Sequence, residues 1–160
     1  MLVIEDLKVE MIGQKCSRVD IRHDKTFFLG LGKLYPTRNK KGIVPYYGFW
    51  EFGTYNSSWR IVKSKQILLG STDFVEDFDA KKRSIHLLGK TLLDIKDFGR
   101  YDVTFYFSDD YSIEFLKCFS YEDEILHVLR YDGIWWAKNS DGIWKKGKEQ
   151  NVSISCYENV

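Results

Sequence analysis

The sequence predicts a mainly β protein of the α+β kind, in which two tandem four-strand antiparallel units form a β-sandwich or barrel with one connecting helix. Three observations carry this expectation. Strand-length runs alternate large apolar with polar residues, residues 12–71 resemble residues 88–138, and one helical pattern at 73–87 lies between them. At 160 residues, folding should bury about two-thirds of the unfolded surface, so residues 1–160 are expected to be a single domain made of the two repeats.

The repeat begins with Ile12-Gly13-Gln14-Lys15, followed by Cys16, Val19 and Ile21, which matches Leu88-Gly89-Lys90-Thr91, followed by Leu92, Ile95 and Asp97. Next, Asp24-Lys-Thr-Phe-Phe-Leu29 matches Asp102-Val-Thr-Phe-Tyr-Phe107, both Asp-x-Thr before large apolar residues. Trp50-Glu51-Phe52 then matches Ile113-Glu114-Phe115, and the run Trp59 to Leu69 aligns without gaps onto Leu126 to Trp136. In the second copy Val103, Phe105 and Phe107 alternate with Thr104 and Tyr106. After Ser108-Asp109-Asp110, Tyr111, Ile113 and Phe115 alternate with Ser112 and Glu114, which is the period-two signature of a hairpin.

Turns are predicted at Lys63-Ser-Lys65 and at Tyr131-Asp132-Gly133, where Asp-Gly suits positive φ. The first copy carries a longer loop from Tyr35 to Pro45, framed by both prolines of the chain. The helix is expected over Asp73–Leu87. Asp73 and Glu76 suggest a capping box, acids fill the first turn, Lys81-Lys82-Arg83 come later and Gly89 follows as a stop. Phe74, Phe78, Ile85 and Leu88 would form its apolar stripe. A last strand is expected at Val152, Ile154 and Cys156, and a single helical turn capped by Ser120 at Phe119 to Ile125.

With 24 basic against 23 acidic residues there is no net field to draw nucleic acid or an anionic membrane. The basic clusters Arg38-Asn-Lys-Lys41 and Lys145-Lys-Gly-Lys148 are therefore read as solubilising. Neither a signal peptide nor a membrane span is expected, and the three cysteines, Cys16, Cys118 and Cys156, are read as reduced thiols of a cytoplasmic protein.

Histidines 23, 86 and 127 are too scattered to suggest a metal centre, and no nucleophile elbow or phosphate loop is present, so the chain is expected to be no enzyme and to need no cofactor or metal. Two features suggest binding. Glu122-Asp123-Glu124 is the densest acidic patch, fit to meet a basic surface. The motif from Trp50 to Trp59 offers Tyr55, Asn56 and Trp59 as partner-binding anchors. The alternative expectation is a small-ligand binder with an aromatic-lined pocket between its sheets. Either a monomer or a homodimer suits the pattern.

The segments Ile12-Gly-Gln-Lys, Trp50-Glu-Phe-Gly-Thr-Tyr-Asn-Ser-Ser-Trp-Arg-Ile61, Ile67-Leu-Leu-Gly-Ser-Thr-Asp73 and Tyr111-Ser-Ile-Glu-Phe115 resemble a family of small uncharacterised bacterial proteins. In size and style these are similar to the immunity proteins of polymorphic toxin systems. That resemblance implies a β-rich cytoplasmic domain that neutralises one toxin domain by tight binding, with no active site to carry over.

Overall fold

The computed structural model describes residues 2–36, 46–73 and 75–149. The first half of the chain forms helix α1 (Val3–Met11) and strands β1 (Cys16–Ile21), β2 (Phe27–Pro36), β3 (Tyr46–Thr54), β4 (Ser58–Lys63) and β5 (Gln66–Gly70). The second half forms helix α2 (Asp77–Ser84), running into a 3-10 turn (Ile85–Leu87), and strands β6 (Leu92–Phe98), β7 (Asp102–Phe107), β8 (Tyr111–Leu116), β9 (Glu124–Arg130) and β10 (Ile134–Asn139). A last described strand, β11 (Trp144–Lys148), follows.

Among the described residues, eleven strands make two antiparallel sheets, ordered β1-β2-β3-β9-β10-β11 and β5-β4-β8-β7-β6, and they form a sandwich-like arrangement with no closed barrel. The expected four strands per unit are five, because Cys16–Ile21 and Leu92–Phe98 are strands in their own right. The halves also do not each form a sheet. Each gives three strands to one sheet and a hairpin to the other, the second half adding β11 beside its hairpin, so the order β1-β2-β3-β9-β10 maps onto β6-β7-β8-β4-β5. Pairing sets Leu29 opposite Val19 and Phe105 opposite Ile95, so Leu29 corresponds to Phe105, two residues from the sequence match. A slip of two residues leaves every side chain on its face, which is why alternation could not detect it.

The correspondence is tightest where the halves begin. Segments 12–15 and 88–91 run past each other through an isolated Lys15–Thr91 bridge. Gly13 N–H donates to Leu92 O while Gly89 N–H donates to Cys16 O, and Cys16 N–H donates to Lys90 O while Leu92 N–H donates to Gln14 O. Gly13 and Gly89 take positive φ of 93° and 80°, which glycine adopts without the clash a Cβ would bring.

Inward side chains of both sheets fill the space between them. Phe52 stacks flat on Phe105 at 4.2 Å, Phe27 lies 4.8 Å from Trp59, and Phe115 packs edge-on to Phe27, Phe52 and Phe105. Each such side chain contributes about 1.5–3 kcal/mol when buried. As strand alternation expects for neighbours, Trp136 is buried while Trp135 points to the outer face and lies over Gly147. Lys138 is buried on the inner side and donates to Asp97 at 2.6 Å. Asp97 also accepts from Trp144 Nε1, so one carboxylate ties β6 to β10 and β11.

Helices flank both sides. α1 packs against β6 and β11, sinking Leu7 and Met11 into the core, and α2 packs against β1 and β5. α1 was not expected. α2 is shorter than expected because Asp73 closes the turn after β5 by accepting Gly70 N–H at 3.0 Å, and so does not cap the helix. Its buried residues are the small Ala80 and Ser84, which let it sit close on two strand edges, while Phe78 is 76% exposed and Ile85 and Leu88 also face outward. The expected apolar stripe is therefore corrected; its member Phe74, most of the 35–45 loop, Arg38-Asn-Lys-Lys41 and the strand around Cys156 lie outside the described residues.

Candidate functional site

The site is built where β3 hands the chain from one sheet to the other. Thr54 Oγ1 accepts the backbone N–H groups of Asn56 and Ser57, at 3.2 and 2.9 Å, which folds the corner, and buried Ser57 Oγ donates to Ile125 O at 2.7 Å. The 117–123 connection is pinned against this corner. Asn56 Nδ2 donates to Asp123 Oδ2 at 2.6 Å and Tyr121 OH donates to Asn56 Oδ1 at 3.3 Å. Phe119 stacks on Tyr121 at 4.8 Å.

Residues 121–123 form a bend, in place of the expected helical turn at Ser120. Once Asn56 and Tyr121 hold the segment and Glu124 enters β9, too few residues remain for a helical turn. The result exposes two aromatic rings side by side with acids. Tyr55 is 58% exposed, its ring edge-on to Phe28 at 5.0 Å, and Tyr121 is 55% exposed. Glu122 and Asp123 are exposed, and Glu124 Oε2 lies 3.1 Å from His127 Nδ1.

Five of the six residues singled out in the sequence meet here: Tyr55, Asn56, Glu122, Asp123 and Glu124. Trp59 does not. It is 2% exposed, packed on Phe27, and its indole N–H donates to Lys25 O at 2.7 Å, so it anchors the core and cannot reach a partner.

Tyr55 and Glu124 also line a cleft of about 200 Å3 on the outer face of the six-stranded sheet, which the sequence reading missed. Its floor is the ion pair of Arg18 with Glu51, two bonds of 3.0 Å, with Gly48 N–H donating to the same carboxylate at 2.7 Å. Glu51 is 3% exposed, and its desolvation raises the carboxyl pKa against the opposing pull of Arg18. Arg18 lies 4.7 Å from the Tyr47 ring centre and Arg22 5.8 Å from that of Phe28. Glycine makes this floor possible, since a Cβ at Gly30 would sit 2.8 Å from Glu51 Oε1 and one at Gly53 1.9 Å from Phe27 O. The available signal was four glycines on two adjacent strands, which leaves room for something to lie over the backbone.

A second hollow of about 610 Å3 lies on the outer face of the five-stranded sheet, at the opposite end. The turns beside it carry Ser64, Lys65, Asp109 and Asp110 at positive φ. Among the described residues no group of three or more His, Cys, Asp or Glu is placed to hold a metal ion, and no helix is long and apolar enough to cross a membrane. Comparison with family profiles, with curated proteins and with solved structures finds no match.

Proposed function

We propose that this chain is a non-enzymatic protein-binding module that engages its partner through the Tyr55 corner. The observation that carries the reading is the exposure of Tyr55 and Tyr121 beside Glu122 and Asp123, on a corner that Asn56 holds in place. Rigid, exposed aromatics ringed by charge are the make-up of an interface hot spot, because they bury much area and lose little rotamer freedom. Immunity proteins that neutralise a toxin domain in the cytoplasm are the class this favours, and the free thiols Cys16 and Cys118 are in keeping with a reducing compartment.

The test is to co-express the chain with the product of the neighbouring gene, and to measure both complex formation and, if that product is toxic, protection of growth. A stoichiometric complex is expected, and Tyr55→Ala with Tyr121→Ala should weaken it by about 2 kcal/mol or more, the scale of a hot spot. No complex and no protection would end the reading. A second reading is favoured by the Arg18–Glu51 floor. A small polar ligand could lie in the outer cleft, in place of the pocket expected between the sheets, where aromatic rings now pack.

A further inference from the structure

The corner is one part of a larger surface. Strand register brings the connections 55–57, 99–101, 117–123 and 140–143 to the same end of the two sheets, since Thr54 pairs with Phe27, Ser58 with Leu116, Phe98 with Asp102, and Lys138 with Trp144. Besides Tyr55 and Tyr121, this end exposes Phe98 at 70% and Ile143 at 57%, with Tyr101 between them in chain order.

The connections are joined to one another. Lys117 Nζ lies 4.7 Å from the ring centre of Tyr101 and 5.3 Å from that of Phe119, and donates to Ser140 O at 3.0 Å. Arg100 Nε donates to Asp141 O at 3.0 Å. The two cations of these four connections are thus held against rings and carbonyl oxygens, as are Arg22 and Lys25 of the adjoining β1–β2 turn, against the Phe28 ring and the Val75 carbonyl. By contrast, the side-chain carboxylates of Glu122, Asp123 and Asp141 have no lysine or arginine nitrogen within 4.0 Å among the described residues. The surface is therefore apolar and aromatic across its width, with negative charge left to be answered from outside.

We infer that this whole end, from Tyr55 and Tyr121 to Phe98 and Ile143, is one docking surface for a protein partner whose contact face is basic around an apolar centre. The inference rests on the protein-binding reading and adds to it the extent of the interface and the chemistry of the partner. Complementary charge would steer the encounter, and the exposed rings would supply the contact.

The test titrates the 15N-labelled chain with two synthetic peptides that share leucine and tryptophan but carry lysine and arginine in one and glutamate in the other. The basic peptide should shift amides at 55–57, 98–101, 119–124 and 140–143 together. Glu122→Lys should lower its association rate about tenfold and flatten its salt dependence. Phe98→Ser with Ile143→Ser should weaken binding although both lie outside the Tyr55 corner; all three side chains are exposed, and an unchanged melting temperature would show that the fold is intact. If shifts stay at the corner and Phe98→Ser with Ile143→Ser is silent, the extended surface is wrong while the corner reading stands. Equal binding of the acidic peptide would overturn the basic chemistry, and no shift at this end with either peptide would overturn the inference as a whole. A complex that forms in the co-expression test yet ignores these variants would separate failure here from failure of the proposed function.

Discussion

Glu51 meets Arg18 on the solvent side of a sheet, where an ion pair does little to hold the core. Removing Arg18 leaves the buried Glu51 carboxylate with the Gly48 N–H but no cation, whereas Arg18 without Glu51 still has Asp20, so Arg18→Met should cost about 3–5 kcal/mol in chemical denaturation. Replacing both, as Arg18→Met with Glu51→Leu, should be neutral or stabilising by up to about 4 kcal/mol, because the desolvation of both charges disappears. A large loss in the double variant would show that the pair holds the sheet together. Gly53→Ala is expected to be more severe than a surface alanine, with a melting temperature lowered by many degrees, since its Cβ would meet the Phe27 carbonyl inside β2–β3 pairing. At this scale the sequence revealed side-chain chemistry and not its direction. Tyr55 and Asp123 were legible as binding groups, but Trp59, four residues on from Tyr55, differed from them only in pointing between the sheets, and no single strand reveals which face the second sheet will cover. Arg18 and Glu51 could not be paired in advance, because β1 and β3 are separated by β2 and a long loop.

Among the elements, α1 is the one most dependent on charge. Asp6 pairs with Lys146 at 2.6 Å, Lys8 with Asp94 at 3.1 Å, and Glu10 with Arg130, which also holds Asp132. The Lys146 hydrogen bond keeps the Asp6 carboxyl below its ordinary value, and the Arg130 hydrogen bond does the same for Asp132. At Asp94 burial pushes upward, but Lys8 outweighs it and the carboxyl is again lowered. Lowered carboxyl values mean that these pairs give their full stabilisation above the unfolded value and lose it as pH falls through the folded one. Docking of α1 should therefore loosen over the acidic range below the ordinary carboxyl value of 3.8, before the sheets open. Hydrogen exchange along Val3–Met11 measures this, and exchange that stays flat across the range would refute it. The contribution is small, because the partners are part exposed. α1 was legible in principle from Ile4, Leu7 and Met11 at helical spacing, yet nine residues without a polar cap make a weak signal. α2 erred the other way: its large apolar residues drew the prediction, whereas the contact is made by Ala80 and Ser84.

The two sheets were foreseeable as sheets, because alternation marks Val103, Phe105, Phe107, Tyr111, Ile113 and Phe115 as one buried face, and all six are buried. Their composition from exchanged strands was not. Pairing of β3 with β9 and of β4 with β8 joins residues far apart in the chain, and nothing local encodes that choice. Because each half completes the sheet of the other, neither should fold alone. Separate chains covering residues 1–74 and 75–160 should be unfolded by circular dichroism and regain β signal when mixed, an outcome that folding of either piece by itself would contradict. The crossing of 12–15 over 88–91 gives the same arrangement a meaning in time. As synthesis proceeds from the first half to the second, five strands leave the ribosome before either sheet can be finished, and β3 waits for β9 with its edge and its aromatic face uncovered. Productive folding has to await emergence of the chain through Lys148, so the nascent first half is the stage at which this protein most needs shielding from other chains.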